Sequence, residues 1–211
     1  MSAKRLAGLV LPVLILVSSA LAQGTYSGAG ANEVSVTAGR TFVSTQTVPA
    51  TSEQIHFGNP ASFAFNYSRL LKTYKIFGLY AELPVAIFPH MDLNYPVNVI
   101  PKAIGGLFVT PSVRFSAFSG EAVSPWVSAG GGYGRFWESQ SLVFDGLNPG
   151  STGTNTGVLQ LGAGLDVFPW ERWGARFEAR DFYSGVPSLN VDSDRSRQHN
   201  YYVGAGVIYR F

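Results

Sequence analysis

Between Trp173 and Arg180 the chain switches polarity at every residue: Trp173, Ala175, Phe177 and Ala179 hold one parity, Gly174, Arg176, Glu178 and Arg180 the other. A period of two places these sets on opposite faces of a β-strand, each face meeting a different medium. The same alternation recurs seven more times. Leu159, Leu161, Ala163, Leu165 and Val167 alternate with Gln160, Gly162, Gly164 and Asp166. Leu107, Val109, Val113 and Phe115 alternate with Thr110, Ser112, Arg114 and Ser116. Phe77 to Val85, Phe63 to Ser68 and the glycine-rich stretch Pro125 to Trp137 repeat it, as does Tyr201 to Phe211. Asn32 to Val43 is the least regular, because Arg40 shares a face with Val34, Val36, Ala38 and Phe42, which suits a headgroup boundary.

Eight such segments, each roughly 9–13 residues long, match the strands that cross a bilayer at a tilt. Past residue 22 no apolar run is long enough for a membrane helix. The connections also alternate. Short turns are expected at Leu71–Tyr74, Ser119–Ala122 and Pro169–Arg172, and long polar loops at 44–60, 87–102, 138–155 and 184–200. Turns on the periplasmic side and loops outside is the asymmetry of an up-and-down membrane barrel. The expected fold is therefore all-β, a single antiparallel eight-stranded transmembrane barrel.

A soluble barrel with its apolar face inward is the competing architecture. Charged residues are 13% of the chain, about half the ~25% typical of soluble domains. The polar parity is mostly Gly, Ser, Thr and Asn rather than the Lys and Glu of a solvated exterior. Lys4 and Arg5, the apolar run Leu6–Leu21 and the triplet Ala20-Leu21-Ala22 read as a Sec-type signal peptide cleaved between Ala22 and Gln23. Residues 1–22 are then the leader and residues 23–211 one domain. Removing Lys4 and Arg5 from 15 basic and 13 acidic residues leaves a balanced mature chain, which excludes a phosphate-tracking basic stripe and hence nucleic acid as partner. With no cysteine there is no disulfide scaffold and no thiolate chemistry.

The terminal stretch, with Val203, Ala205, Val207, Tyr209 and Phe211 on one parity, resembles the C-terminal assembly signal of bacterial outer-membrane proteins. With Val127–Gly134 and Arg176–Phe182 it makes residues 23–211 similar to the small OmpA-like and opacity-type barrel superfamily. That resemblance implies the outer membrane as location, its lipids and lipopolysaccharide as surroundings, and the barrel assembly machinery as a partner during biogenesis. It names no extracellular ligand, and no wall-binding domain is expected after the barrel.

The inward parity would carry Glu82, Arg114, Asp166, Arg176, Glu178, Arg180 and Arg210. An eight-stranded lumen holds little beyond its own side chains, so these charges are expected to pair into a structural plug. The function expected is structural or interactive, with a narrow channel and a lipid A-modifying enzyme as the alternatives. His56, His90 and His199 all fall in expected loops, with Ser196, Asp192 and Asp194 near His199, but no His-x-Ser-Asn-type motif lies on a strand. Neither a catalytic site nor a metal shell nor a cofactor is expected, and the glycine runs lack the strand-to-helix context of a phosphate loop.

Overall fold

The computed structural model describes residues 31–211, so the expected leader and the Ala22–Gln23 junction lie outside the described residues. Eleven strands follow in order: β1 (Asn32–Val43), β2 (Gln46–Val48), β3 (Glu53–Phe57), β4 (Ala61–Tyr74), β5 (Phe77–Asn94), β6 (Ala103–Val109), β7 (Ser112–Ala117), β8 (Val123–Glu138), β9 (Thr154–Val167), β10 (Trp173–Gly185) and β11 (Arg197–Arg210). Every pairing is antiparallel. The ladder runs from β1 through β4 to β5, then to both β6 and β7, which both pair with β8, and on through β9, β10 and β11 back to β1. Asn32 and Phe211 exchange backbone hydrogen bonds of 2.9 Å each, joining the first strand to the last.

This corrects the expectation of eight uninterrupted up-and-down strands. One wall position is split between β6 and β7, so the eight-strand ring is incomplete there. The cause is local: Pro111 has no amide hydrogen for the ladder, and Thr110 and Pro111 leave the strand together. Thr110 N still donates to Pro84 O (3.1 Å) and Gly131 N to Pro111 O (3.2 Å), which stitches the gap. The remaining surplus is a hairpin, β2–β3, inside the segment expected to be a plain loop. It joins the far end of β5 through His56 opposite Asn94 and Phe57 opposite Leu93.

Two further boundaries differ from the sequence reading. The turn expected at Leu71–Tyr74 is strand, and the chain reverses at Lys75 and Ile76, where Lys75 adopts a φ of 52°. The loop expected from residue 87 begins instead after Asn94, because β5 continues through a register shift between Phe88 and Met91. That bulge moves the inward parity from even to odd numbers, so Met91 and Leu93 turn into the interior. The 18 residues of β5 span about 60 Å fully extended, roughly twice the ~25 Å apolar band of a membrane barrel, so its upper part stands clear of lipid.

Around the wall the outward parity is apolar. Val36, Phe65, Val113, Val127, Leu161, Phe177 and Val207 are all exposed, Leu161 to 63%. Soluble monomers rarely expose so continuous an apolar belt, whereas a barrel wall in lipid requires one. Arg40, at the loop end of β1, faces outward too, its guanidinium donating to Asn59 O at 2.6 Å. Inward, glycines give space to large rings: a Cβ on Gly164 would collide with the Trp126 indole, and one on Gly204 with the Tyr202 hydroxyl.

Candidate functional site: the barrel interior

The inward parity of β1, β5, β7, β9, β10 and β11 delivers four carboxylates, Glu33, Glu82, Asp166 and Glu178, to four guanidinium groups, Arg114, Arg176, Arg180 and Arg210. All but Arg210 are almost wholly buried, and the set is neutral. Asp166 is the hub of the lower layer. Its two oxygens accept from Arg176 Nε and Nη2, both at 2.7 Å, in the two-pronged geometry that a planar guanidinium favours. Arg114 Nη1 adds a bond at 3.0 Å and Trp126 Nε1 one at 3.2 Å. Glu33 binds Arg114 and takes Arg210 Nε at 3.1 Å.

A step further toward the loops, Glu82 accepts from Arg180 Nη2 at 3.0 Å, and Glu178 accepts from Arg180 Nε at 2.8 Å. Thr37 Oγ1 donates to Glu178 at 2.5 Å and touches the Tyr202 hydroxyl at 2.7 Å. Trp126 lies between the layers, with the Arg176 and Arg180 guanidinium carbons 5.1 and 5.0 Å from its ring centre. Arg114 sits 4.2 Å over Tyr80. Each cation is thus held by a carboxylate and an aromatic face together, which replaces the water it has lost.

Above this network the interior becomes apolar. Phe108 stacks on Phe182 at 4.9 Å and meets Phe136 edge-on at 5.7 Å, with Phe88 6.0 Å from Phe108. Met91, Leu93, Tyr95, Ile55, Val48, Ile100 and Leu189 extend this core into the loop end. The loops are tied across one another: Asp194 N donates to Thr47 O (2.8 Å), Asn190 Nδ2 to Val99 O (3.1 Å), and Ser188 N to Glu138 Oε1 (3.1 Å). At the turn end a cavity of ≈ 430 Å³ is lined by Tyr80, Ser119, Glu121, Phe168, Trp170 and Arg210. Arg210 packs on Phe168 there at 4.0 Å. The interior is thus a shallow vestibule, then a charge-paired layer, then an aromatic stopper, then a tethered cap.

All seven charged residues singled out on the inward parity come together here. Glu33 joins them from outside that set: it shares its inward face with Ser35, Thr37 and Thr41, a parity signal masked by Arg40 on the apolar face of the same strand. Tyr80 and Trp126 were hidden for a different reason, since an aromatic on the polar parity reads as a lapse in alternation until its cationic neighbours are known. The terminal positions Val203, Ala205, Val207, Tyr209 and Phe211 follow the outward parity of β11 and the residue after it, Val207 being 55% exposed.

The histidines are not in loops. His56 is in β3, His90 in β5 and His199 in β11. His90 Nε2 lies 3.0 Å from Asp92, both exposed. His199 Nδ1 lies 2.6 Å from Asp181 on the outer wall. Asp194 is engaged with the backbone of Thr47. Among the described residues no serine or threonine hydroxyl bonds to His199, and no group of three metal-ligating side chains gathers.

Neither a protein-family model nor a curated protein matches the chain. Solved structures do. The outer-membrane protein OprG from Pseudomonas aeruginosa aligns over 87% of this chain and 99% of its own, with 14% identity and a TM-score of 0.54. AlkL, solved by solid-state NMR in DMPC bilayers, aligns over 89% and 94%, with 12% identity and a TM-score of 0.53. Neisserial surface protein A aligns over 88% and 100%, with 12% identity and a TM-score of 0.51. Identities this low speak for architecture alone, and they place it among small outer-membrane barrels at large rather than with OmpA-like or opacity-type ones in particular. With its apolar belt and closed pairing order, the chain has the fold of a small outer-membrane β-barrel, built from eleven strands around an interrupted eight-position wall.

Proposed function

We propose that this chain is an integral protein of the bacterial outer membrane, of structural or interaction type, with a plugged lumen and an ordered outer cap. The carrying observation is the interior. Ions crossing it would have to separate the Asp166–Arg176 pair and then displace the Phe88, Phe108, Phe136 and Phe182 cluster, where nothing replaces a hydration shell. This disfavours the narrow channel. Among the described residues, neither carboxylate-paired histidine, His90 or His199, has a serine or threonine hydroxyl bonded to it, which disfavours the enzyme alternative. The loop end offers contact surface instead: the hairpin turn at Asp145 and Gly146 displays Phe144 and Leu147, the latter 88% exposed.

In this reading the turns face the periplasm, and the loops face the exterior amid lipopolysaccharide. The outward residues Val203, Ala205, Val207, Tyr209 and Phe211 serve as the recognition element for the barrel assembly machinery. No cofactor takes part. The test is planar-bilayer recording of the refolded chain. The expected trace shows no discrete steps, and steps whose size changes with Arg176→Gln or Glu178→Gln would overturn the reading in favour of a channel.

A further inference from the structure

At the loop-end edge of the lipid-facing belt, β10 and β11 carry a ladder that the interior does not use. Outward positions Val207, Ala205 and Val203 of β11 are apolar; then come Tyr201, His199 and Arg197. On β10, Phe177 and Ala179 give way to Asp181 and Tyr183. Asp181 stands opposite Tyr201 and, on its other side, opposite the exposed Leu161, so a carboxylate occupies the rim of an apolar surface. One of its oxygens grips His199 Nδ1 at 2.6 Å, while the other is buried without a hydrogen-bond partner.

The rest of the ladder is held as firmly. The His199 ring lies 4.7 Å from Tyr183 and stacks on Tyr201 at 5.5 Å with the planes 4° apart. The Arg197 guanidinium sits 5.6 Å above the Tyr183 ring. A merely solvated cation needs no such fixing. A carboxylate that engages Nδ1 leaves Nε2 as the ring nitrogen open to an outside partner, and Arg197 adds a planar fork two positions further up the same face. A guanidinium and an imidazole held side by side just above an apolar belt suit a tetrahedral anion attached to a lipid.

We propose that Arg197 and His199, positioned by Tyr183, Tyr201 and Asp181, bind the phosphate of an outer-leaflet lipid headgroup. The site rests on the outer-membrane reading above but concerns the wall rather than the plug. Its chemistry is binding only, His199 having Asp181 as its one side-chain hydrogen-bond partner among the described residues.

The full chain, refolded into phosphatidylcholine nanodiscs with or without bisphosphorylated lipid A, provides the test. Native mass spectrometry reads lipid A retained per barrel, and ¹⁵N-histidine spectra read His199 Nε2. Lipid A is expected to shift that resonance, and R197Q with H199Q together to cut retention about tenfold, two partly exposed charge-assisted bonds being lost. The charge-preserving R197K keeps most of it, and R195Q, in the adjoining loop, changes nothing. Unaltered retention in the double variant overturns the site. So does an equal resonance shift from inorganic phosphate alone, which would assign the site to the free ion. Each variant is first checked for heat-modifiable gel migration: a barrel that never inserts refutes the membrane reading, whereas one that inserts and retains lipid A normally refutes only this site.

Discussion

Replacing Asp166 with asparagine keeps the shape of the hub side chain but removes its charge and turns one of its two acceptor edges into a donor. Oxygen Oδ1 serves Arg176 Nε and Trp126, and Oδ2 serves Arg176 Nη2 and Arg114. Whichever way the amide is turned, two buried N–H donors then face another donor. The four-against-four balance of the charge-paired layer also becomes one positive charge in excess. Leaving a buried cation without its partner costs about 3–5 kcal/mol, and the loss of two charge-assisted bonds alone is worth about that much. Urea unfolding in lipid vesicles, followed by tryptophan fluorescence and by gel migration, should show a destabilisation in that range. Adding Arg114→Gln restores neutrality, so the double variant should recover about 1–3 kcal/mol relative to the sum of the two single effects. If the lumen were a hydrated conduit, water would satisfy the stranded donors and the pair would behave as an exposed one, worth at most about 1 kcal/mol. A D166N barrel within about 0.5 kcal/mol of the parent, or a double variant showing simple additivity, refutes the dry-network argument.

Removing the stopper should matter differently from removing the charges. Phe108→Ala with Phe182→Ala should lower stability by several kcal/mol, each truncation costing about 3–5, yet leave planar bilayers silent, because the charge layer beneath still seals; conductance steps from this variant alone would assign the seal to the rings. Val207→Arg, near the middle of the outward belt of β11, should cost about 2–4 kcal/mol in vesicle unfolding, and a neutral effect would mean that this face does not touch lipid. Gly206→Val should abolish folding into vesicles, since a Cβ there runs into the backbone of Val36 and Thr37, and an intact heat-shifted band would show that the β1–β11 seam can move.

The alternation from Trp173 to Arg180 was enough to fix which side chains meet lipid and which meet the interior, because one period and two media leave a single choice of face. It carried less about the ends. The extension of β5 past Ile87 was unreadable because Pro89, His90 and Asp92 look like loop, and a bulge there changes parity without any single-residue signature. Pro111 did announce the β6–β7 break, but the regular alternation on both sides of it favoured one continuous strand. The aromatic stopper was missed because Phe108, Phe136 and Phe182 share parity with arginines and serines. A face was read as uniform along its length, whereas this one is charged in one half and apolar in the other.

The seam between β1 and β11 also bears on how such a wall comes into being. Arg210 and Glu33 are separated by 177 positions yet share a hydrogen bond, so this pair forms only when the first and last strands meet. Until then the Arg210 guanidinium at the turn end is without this carboxylate, and an unfinished sheet held in hydrocarbon would carry it bare along with its free edges. Closure and the neutralisation of Arg210 are therefore one event. An open sheet thus leaves a charge as well as an edge unpaired, and the seam that removes both carries the kinetic expense that pairings so remote in sequence impose.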